Sequence, residues 1–245
     1  MTTDFTWLSR TELLIGKTAL ETLAKSHVMV VGLGGVGSFA AEFIARSGVG
    51  KMTIIDGDIV DPTNRNRQLP ALATNHGAYK TTLMAERLRA INPEVELNVV
   101  QDFINPKMVE NILANAPDYI IDAIDSITPK LTFIVHAHQK QIPLVSSMGA
   151  GGKMDPTNVL IADISKTHHC VFAQQIRKML KRNYQIKNGI KCVFSPEMPN
   201  KESLILTDGN NYKKSAYGTI SYMPAVFGAV AASVVIRDLI ADTEI

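Results

Sequence analysis

The chain has 245 residues, 46% hydrophobic and 20% charged, with a formal net charge of +2; this suits one large α/β domain with a real core and excludes disordered and collagen-like chains. Its two cysteines, Cys170 and Cys192, form no Cys-x-x-Cys pair, so neither a four-cysteine structural zinc nor a disulfide framework is expected. The charge is uneven: between Lys166 and Lys191 stand seven Lys or Arg and no Asp or Glu, a basic zone that suits either an anionic macromolecule or a solvated helix face.

Residues 1–10 lack the basic-then-apolar pattern of a secretion signal. Residues 11–25 read as an amphipathic helix with Leu13, Leu14, Leu20 and Leu23 on one face. Residues 28–31 form a short buried strand, and the helix over 38–46 ends at Gly48 and Gly50. Strand and helix then alternate: strands at 51–56, 95–100, 119–121 and from 143, helices at 77–90, 106–114 and 128–140. That rhythm predicts a Rossmann-like, doubly wound, mostly parallel sheet. Beyond the Gly149-Ala-Gly-Gly152 turn it changes, with strands at 159–164 and 190–194 and helices at 174–182 and 224–239, an extension completing the same domain over 1–245. The apolar run 223–236 is shorter than the roughly 20 residues of a membrane span. It reads as a buried helix, membrane contact being the lesser alternative, and a cytoplasmic location is the expectation.

Between the first strand and its helix lies Gly32-x-Gly34-Gly35-x-Gly37. This spacing gives a tight turn, close backbone approach to an anion and close helix–strand packing, with a helix N-terminus behind the phosphate. Alone it fits NAD, FAD or ATP. Asp56 ends the second strand about 20 residues on, where a carboxylate accepts from ribose hydroxyls. Arg65, Arg67 and Lys80 follow, and three cations suit a triphosphate and departing pyrophosphate better than a dinucleotide. Asp125, beyond a buried strand, suits a Mg²⁺ bridging phosphate oxygens.

The set Gly32-x-Gly-Gly-x-Gly37, Asp56-x-Asp58, Asn64-x-x-Arg67-Gln68, Gly77-x-x-Lys80 and Asp122-x-x-Asp125 resembles the adenylation domain of the ubiquitin-activating-enzyme superfamily, whose bacterial members include MoeB and ThiF. The resemblance implies ATP and Mg²⁺ as cofactors and formation of an acyl-adenylate by attack of a carboxylate on the α-phosphorus. It implies that Asp56 binds the ribose, Arg67 and Lys80 the phosphates, and Asp125 the metal, with Asn64 and Asp58 completing the shell. Arg10, in Ser9-Arg-Thr-Glu-Leu-Leu-Ile-Gly16, matches an arginine that reaches across a homodimer interface. MoeB and ThiF adenylate sulfur-carrier proteins and usually hold a zinc on two Cys-x-x-Cys pairs, which this chain lacks. The segments 142–157 and 191–195 are instead similar to the TcdA branch, the tRNA threonylcarbamoyladenosine dehydratases. That branch implies a tRNA substrate bearing threonylcarbamoyladenosine, ring closure with loss of AMP, and a sulfur-transfer protein as a candidate partner. Some members carry a cysteine before the last helix; residues 213–222 here have none. Adenylation of a sulfur carrier and NAD-dependent chemistry are the alternatives.

Overall fold

A computed structural model describes residues 5–206 and 215–243; Met1–Asp4 and Lys213–Lys214, which carry part of the sequence argument, lie outside the described residues. Seven strands form one sheet in the order β3-β2-β1-β4-β5-β7-β6: β1 (His27–Val31), β2 (Lys51–Ile55), β3 (Glu96–Val100), β4 (Tyr119–Asp122), β5 (Leu144–Ser147), β6 (Leu160–Asp163) and β7 (Lys191–Phe194). All pairings are parallel except β6 with β7. The expected doubly wound, mostly parallel architecture is therefore present.

Alternation along the strands divides the core. Val28 and Val30 face a cluster with α1 (Ser9–Lys25), α2 (Gly37–Arg46), α3 (Lys80–Ile91) and α7 (Tyr222–Leu239). Met29 and Val31 face α4 (Pro106–Ile112) and α5 (Ile127–Gln139) on the other side. This is the period-2 geometry of a strand buried on both faces, which is why β1 reads as continuous Val and Met. A third cluster joins α5 to α6 (Val171–Tyr184). By length and composition α7 suffices to cross a membrane, and 44% of it is buried inside the protein. Its Met223, Phe227, Ala231 and Val235 are core residues, and Gly228 lies so close to α2 that an added Cβ meets Val36 O at 2.5 Å.

Two expected elements differ. Helix α1 is broken at Gly16, whose φ of 79° is not helical. The 100° periodicity does not carry across the break, so Leu20 and Leu23 are buried while Leu13 and Leu14 are 89% and 75% exposed. The helix expected from residue 77 starts at Lys80, because Gly77 has φ +83° and its N–H bonds Val60 O at 2.9 Å. A short hairpin, β8 (Leu204–Leu206) with β9 (Ser215–Tyr217), was not legible in the sequence.

At the sheet's other end Asp238 fastens α7, accepting from Tyr119 Oη at 2.6 Å and pairing with Lys191 of β7. Burial raises the Asp238 pKa, but the bonds from Lys191 and Tyr119 outweigh it, so the carboxyl sits below its ordinary value. A depressed folded pKa stabilises above the unfolded value of about 3.9 and is lost as pH falls through the folded pKa. Asp238→Asn should therefore cost about 1 kcal/mol or less at pH 7, discounted for solvent screening. The gap to wild type should close below about pH 4 in thermal melts; a gap constant from pH 7 to 3 would contradict the assignment.

Candidate active site

The glycine turn is shaped by contacts that leave no room for side chains. Gly32 has φ +86°, donates to Ile55 O at 2.8 Å, and an added Cβ meets Ala123 O at 2.9 Å. At Gly37 an added Cβ falls 1.7 Å from Gly32 O, so helix and turn meet backbone to backbone. Gly35 lies against Pro224 of α7 and Arg67 O. Gly34 is different: a Cβ there meets only Gln68 Nε2, at 3.9 Å, leaving the backbone open to a ligand in front of α2's N-terminus.

Asp56 follows β2 directly and braces the turn. Its Oδ2 accepts from Leu33 N–H at 2.6 Å and its Oδ1 from Asp58 N–H at 2.8 Å. Burial raises its pKa, opposed by Lys80 and by those two amides. Asp58 instead holds Lys80: Nζ stands 2.5 Å from Oδ2, with the lysine side chain 4% exposed and the carboxylate 46%. The isolated Ile59–Tyr79 bridge brings the two residues together across the polar segment.

Asn64 is buried, and its Oδ1 accepts from Asp61 N–H at 3.2 Å in a capping box on Pro62–Asn64. Arg67 is half-buried and donates from Nη1 to Thr63 O at 3.0 Å and Asn66 Oδ1 at 2.8 Å; it forms no ion pair among the described residues. Arg65 is exposed on the same segment. Gln68, in the predicted motif but assigned no role from sequence, is buried with Oε1 unpartnered and lies beside Gly34. A buried acceptor without a partner calls for a donor from outside the described residues, such as a hydroxyl or an amine of a ligand.

Across the sheet, Asp125 is exposed just beyond β4, within hydrogen-bond distance of Ser126 Oγ at 3.4 Å. A single exposed carboxylate fits Mg²⁺, which takes one or two carboxylates and completes its shell with phosphates and water. The loop is built on a pair the sequence reading missed. Lys130 and Asp122, both fully buried, meet at 2.9 Å; Lys130 Nζ also donates to Ile124 O at 2.9 Å, and Ser146 Oγ to Asp122 Oδ2 at 2.7 Å. A lysine directly before the apolar run Leu131-Thr-Phe-Ile-Val135 was the available signal.

Arg10, the two cysteines and the basic zone stand apart. Arg10 is exposed on α1 and makes no hydrogen bond or ion pair among the described residues. Cys192 is buried in β7, and burial pushes its thiol well above the ordinary range, the surroundings of a structural rather than an activated thiol. Cys170 is buried while His168 and His169 are exposed. In the basic zone, Lys166, Lys178, Lys181, Arg182 and Lys187 are exposed. Arg177 is tied to Thr167 O at 2.7 Å, and Lys191 pairs with Asp238.

The ThiF family model matches residues 8–245. The tRNA threonylcarbamoyladenosine dehydratase of Bacillus subtilis is 43% identical over 244 residues, covering 97% of this chain and 96% of that protein. The crystal structure of the E. coli tRNA N6-threonylcarbamoyladenosine dehydratase TcdA in complex with ATP superposes with a TM-score of 0.88 at 39% identity, covering 97% of this chain and 95% of that one. By contrast, the E. coli sulfur carrier protein ThiS adenylyltransferase is 29% identical over 62% of this chain and 61% of its own. The chain therefore belongs to the ThiF family, in the branch of the threonylcarbamoyladenosine dehydratases.

Proposed function

We propose that this protein uses ATP to dehydrate threonylcarbamoyladenosine in tRNA. A carboxylate oxygen of the threonyl group attacks the α-phosphorus and pyrophosphate leaves. A nitrogen of the same substituent then attacks the acyl carbon, its proton departs, and AMP leaves with the former carboxylate oxygen. One water is lost overall. Ring closure is intramolecular, so the site must orient its substrate more than supply a nucleophile, in keeping with two buried cysteines.

The observation that carries this reading is the convergence of an open Gly34, an orphaned Gln68 Oε1, the Lys80–Asp58 pair and Arg67 at the C-terminal ends of β1 and β2. Asp56 braces the turn through its amides and has lone pairs left for ribose hydroxyls. Lys80 and Arg67 hold phosphates, and Asn64 fixes the segment bearing Arg67. Asp125, together with the phosphates, would hold Mg²⁺, which would neutralise charge on the leaving group. Arg10 serves a neighbouring copy's site in a homodimer, the exposed Leu13 and Leu14 beside it belonging to that contact. The exposed cations from Lys166 to Lys187 contact tRNA phosphates. The protein works in the cytoplasm, and a sulfur-transfer protein remains a candidate partner.

Incubation with ATP, Mg²⁺ and tRNA bearing threonylcarbamoyladenosine should remove one water from the nucleoside, read by mass spectrometry, with stoichiometric AMP. Pyrophosphate exchange stimulated by a Gly-Gly-tailed carrier protein and not by this tRNA would overturn the reading.

A further inference from the structure

Beside the phosphate segment lies a cavity of about 450 Å³, within the range of roughly 300–1,000 Å³ typical of small-molecule sites. Asn66, Gly152, Ser203, Gly218 and Ser221 are among the residues that line it. Backbone bonds stitch these walls: Gly152 N–H donates to Gly218 O at 2.8 Å, Asn200 N–H to Gly152 O at 2.9 Å, and Gly218 N–H to Ser203 O at 2.9 Å. The turn admits only glycine, since Gly152 has φ +74° and an added Cβ meets Pro199 Cβ at 2.7 Å. The cavity is thus a built feature of the fold.

Its charge selects a ligand class. No Asp or Glu lines it among the described residues, and the nearby Glu197 turns both oxygens to Met154 N–H and Asp155 N–H, each at 2.9 Å. Lys153 is buried in the wall with its ammonium on two neutral carbonyls, Ser195 O at 2.7 Å and Glu197 O at 2.8 Å. It forms no ion pair among the described residues; burial works against its charge and the Glu197 carboxylate supports it from a distance, so the wall holds a cation while no acid lines the cavity, a balance that favours an anion. The Ser203 and Thr219 hydroxyls donate to Asn200 O at 2.8 Å and Tyr217 O at 3.1 Å and so help to close the walls, which leaves the Ser221 hydroxyl for a small polar group.

Its position ties it to the phosphate site. The Asn66 amide donates to Thr219 O at 2.9 Å, and its Oδ1 accepts from Arg67 Nη1 at 2.8 Å. Three residues beyond Ser221, Pro224 rests on Gly35 of the glycine turn. We infer that this cavity receives the carboxylate-bearing threonylcarbamoyl substituent, with Asn66 as the wall shared with Arg67. The inference rests on the function proposed above and names where its substrate group binds.

Two variants test it. Ser203→Trp fills the cavity. Ser221→Asp adds a carboxylate at an exposed helix start where acids are well tolerated. Each should raise KM for the modified tRNA at least about tenfold, by blockage or like-charge repulsion, while affinities for an ATP analogue and for unmodified tRNA stay within about twofold. Each should also abolish the tighter binding of modified over unmodified tRNA. Wild-type KM and wild-type discrimination in both variants would overturn the inference. If Ser203→Trp fails to bind ATP, Ser221→Asp alone decides. If the wild-type protein neither dehydrates the modified tRNA nor distinguishes it from the unmodified one, the functional reading itself fails.

Discussion

Lys80→Met should lower the rate of tRNA-dependent AMP formation by about 10²–10³-fold, the usual effect of removing one preorganised group that stabilises transition-state charge. The fold should survive. Lys80 is buried at the first position of α3, but its partner Asp58 keeps a 46% exposed side chain and rehydrates when the ammonium is gone. The decisive comparison is with Asp58→Asn, which removes the counter-ion and keeps the cation. If Lys80 serves the phosphates, Lys80→Met is far more damaging than Asp58→Asn; if it serves only as a partner for Asp58, both are mild. Pyrophosphate release beside thermal melts separates the two. A Lys80→Met protein with wild-type turnover would reduce the Lys80–Asp58 pair to a structural clamp.

Lys130→Met should cost stability instead, about 3–5 kcal/mol, because it strands the fully buried Asp122 carboxylate without its ion partner. For a chain of this size that lowers Tm by roughly 6–20 °C. The double variant Lys130→Met with Asp122→Asn removes both charges and should regain much of the loss, since an absent pair costs less than half of one. Its activity should stay low even so. Lys130 also holds Ile124 O at 2.9 Å, and that bond fixes the loop presenting Asp125. Full activity in the double variant would show that the loop needs no such anchor. Equal stability of the single and double variants would contradict the ion-pair account.

Strands and glycine turn were legible because their signals are local. The run Val28-Met-Val-Val31 is apolar on both faces and ends in a glycine pattern. Asp56, Arg67, Lys80 and Asp125 were named from motif order, and all four lie at or beyond C-terminal strand ends. What escaped depends on partners distant in the chain. Nothing near Gln68 tells that its amide is buried beside Gly34 with Oε1 unpartnered. Asn66 gains its place only when Thr219, 153 residues away, reaches it. Arg177 looked like one cation among seven, yet it is spent on Thr167. The placing of Leu13 and Leu14 failed for a local reason, the reversal of φ at Gly16, which a periodicity argument does not register.

The contact between Gly35 and Pro224 has a consequence for how the protein is made. The nucleotide turn emerges from the ribosome early, whereas the proline and glycine that seal its back arrive almost 200 residues later. The sheet, too, stays open until Lys191–Phe194 slots between β5 and β6. A nascent chain therefore carries its ATP motif long before it has an ATP site. The back of that site closes only when the last helix docks and brings Pro224 against Gly35.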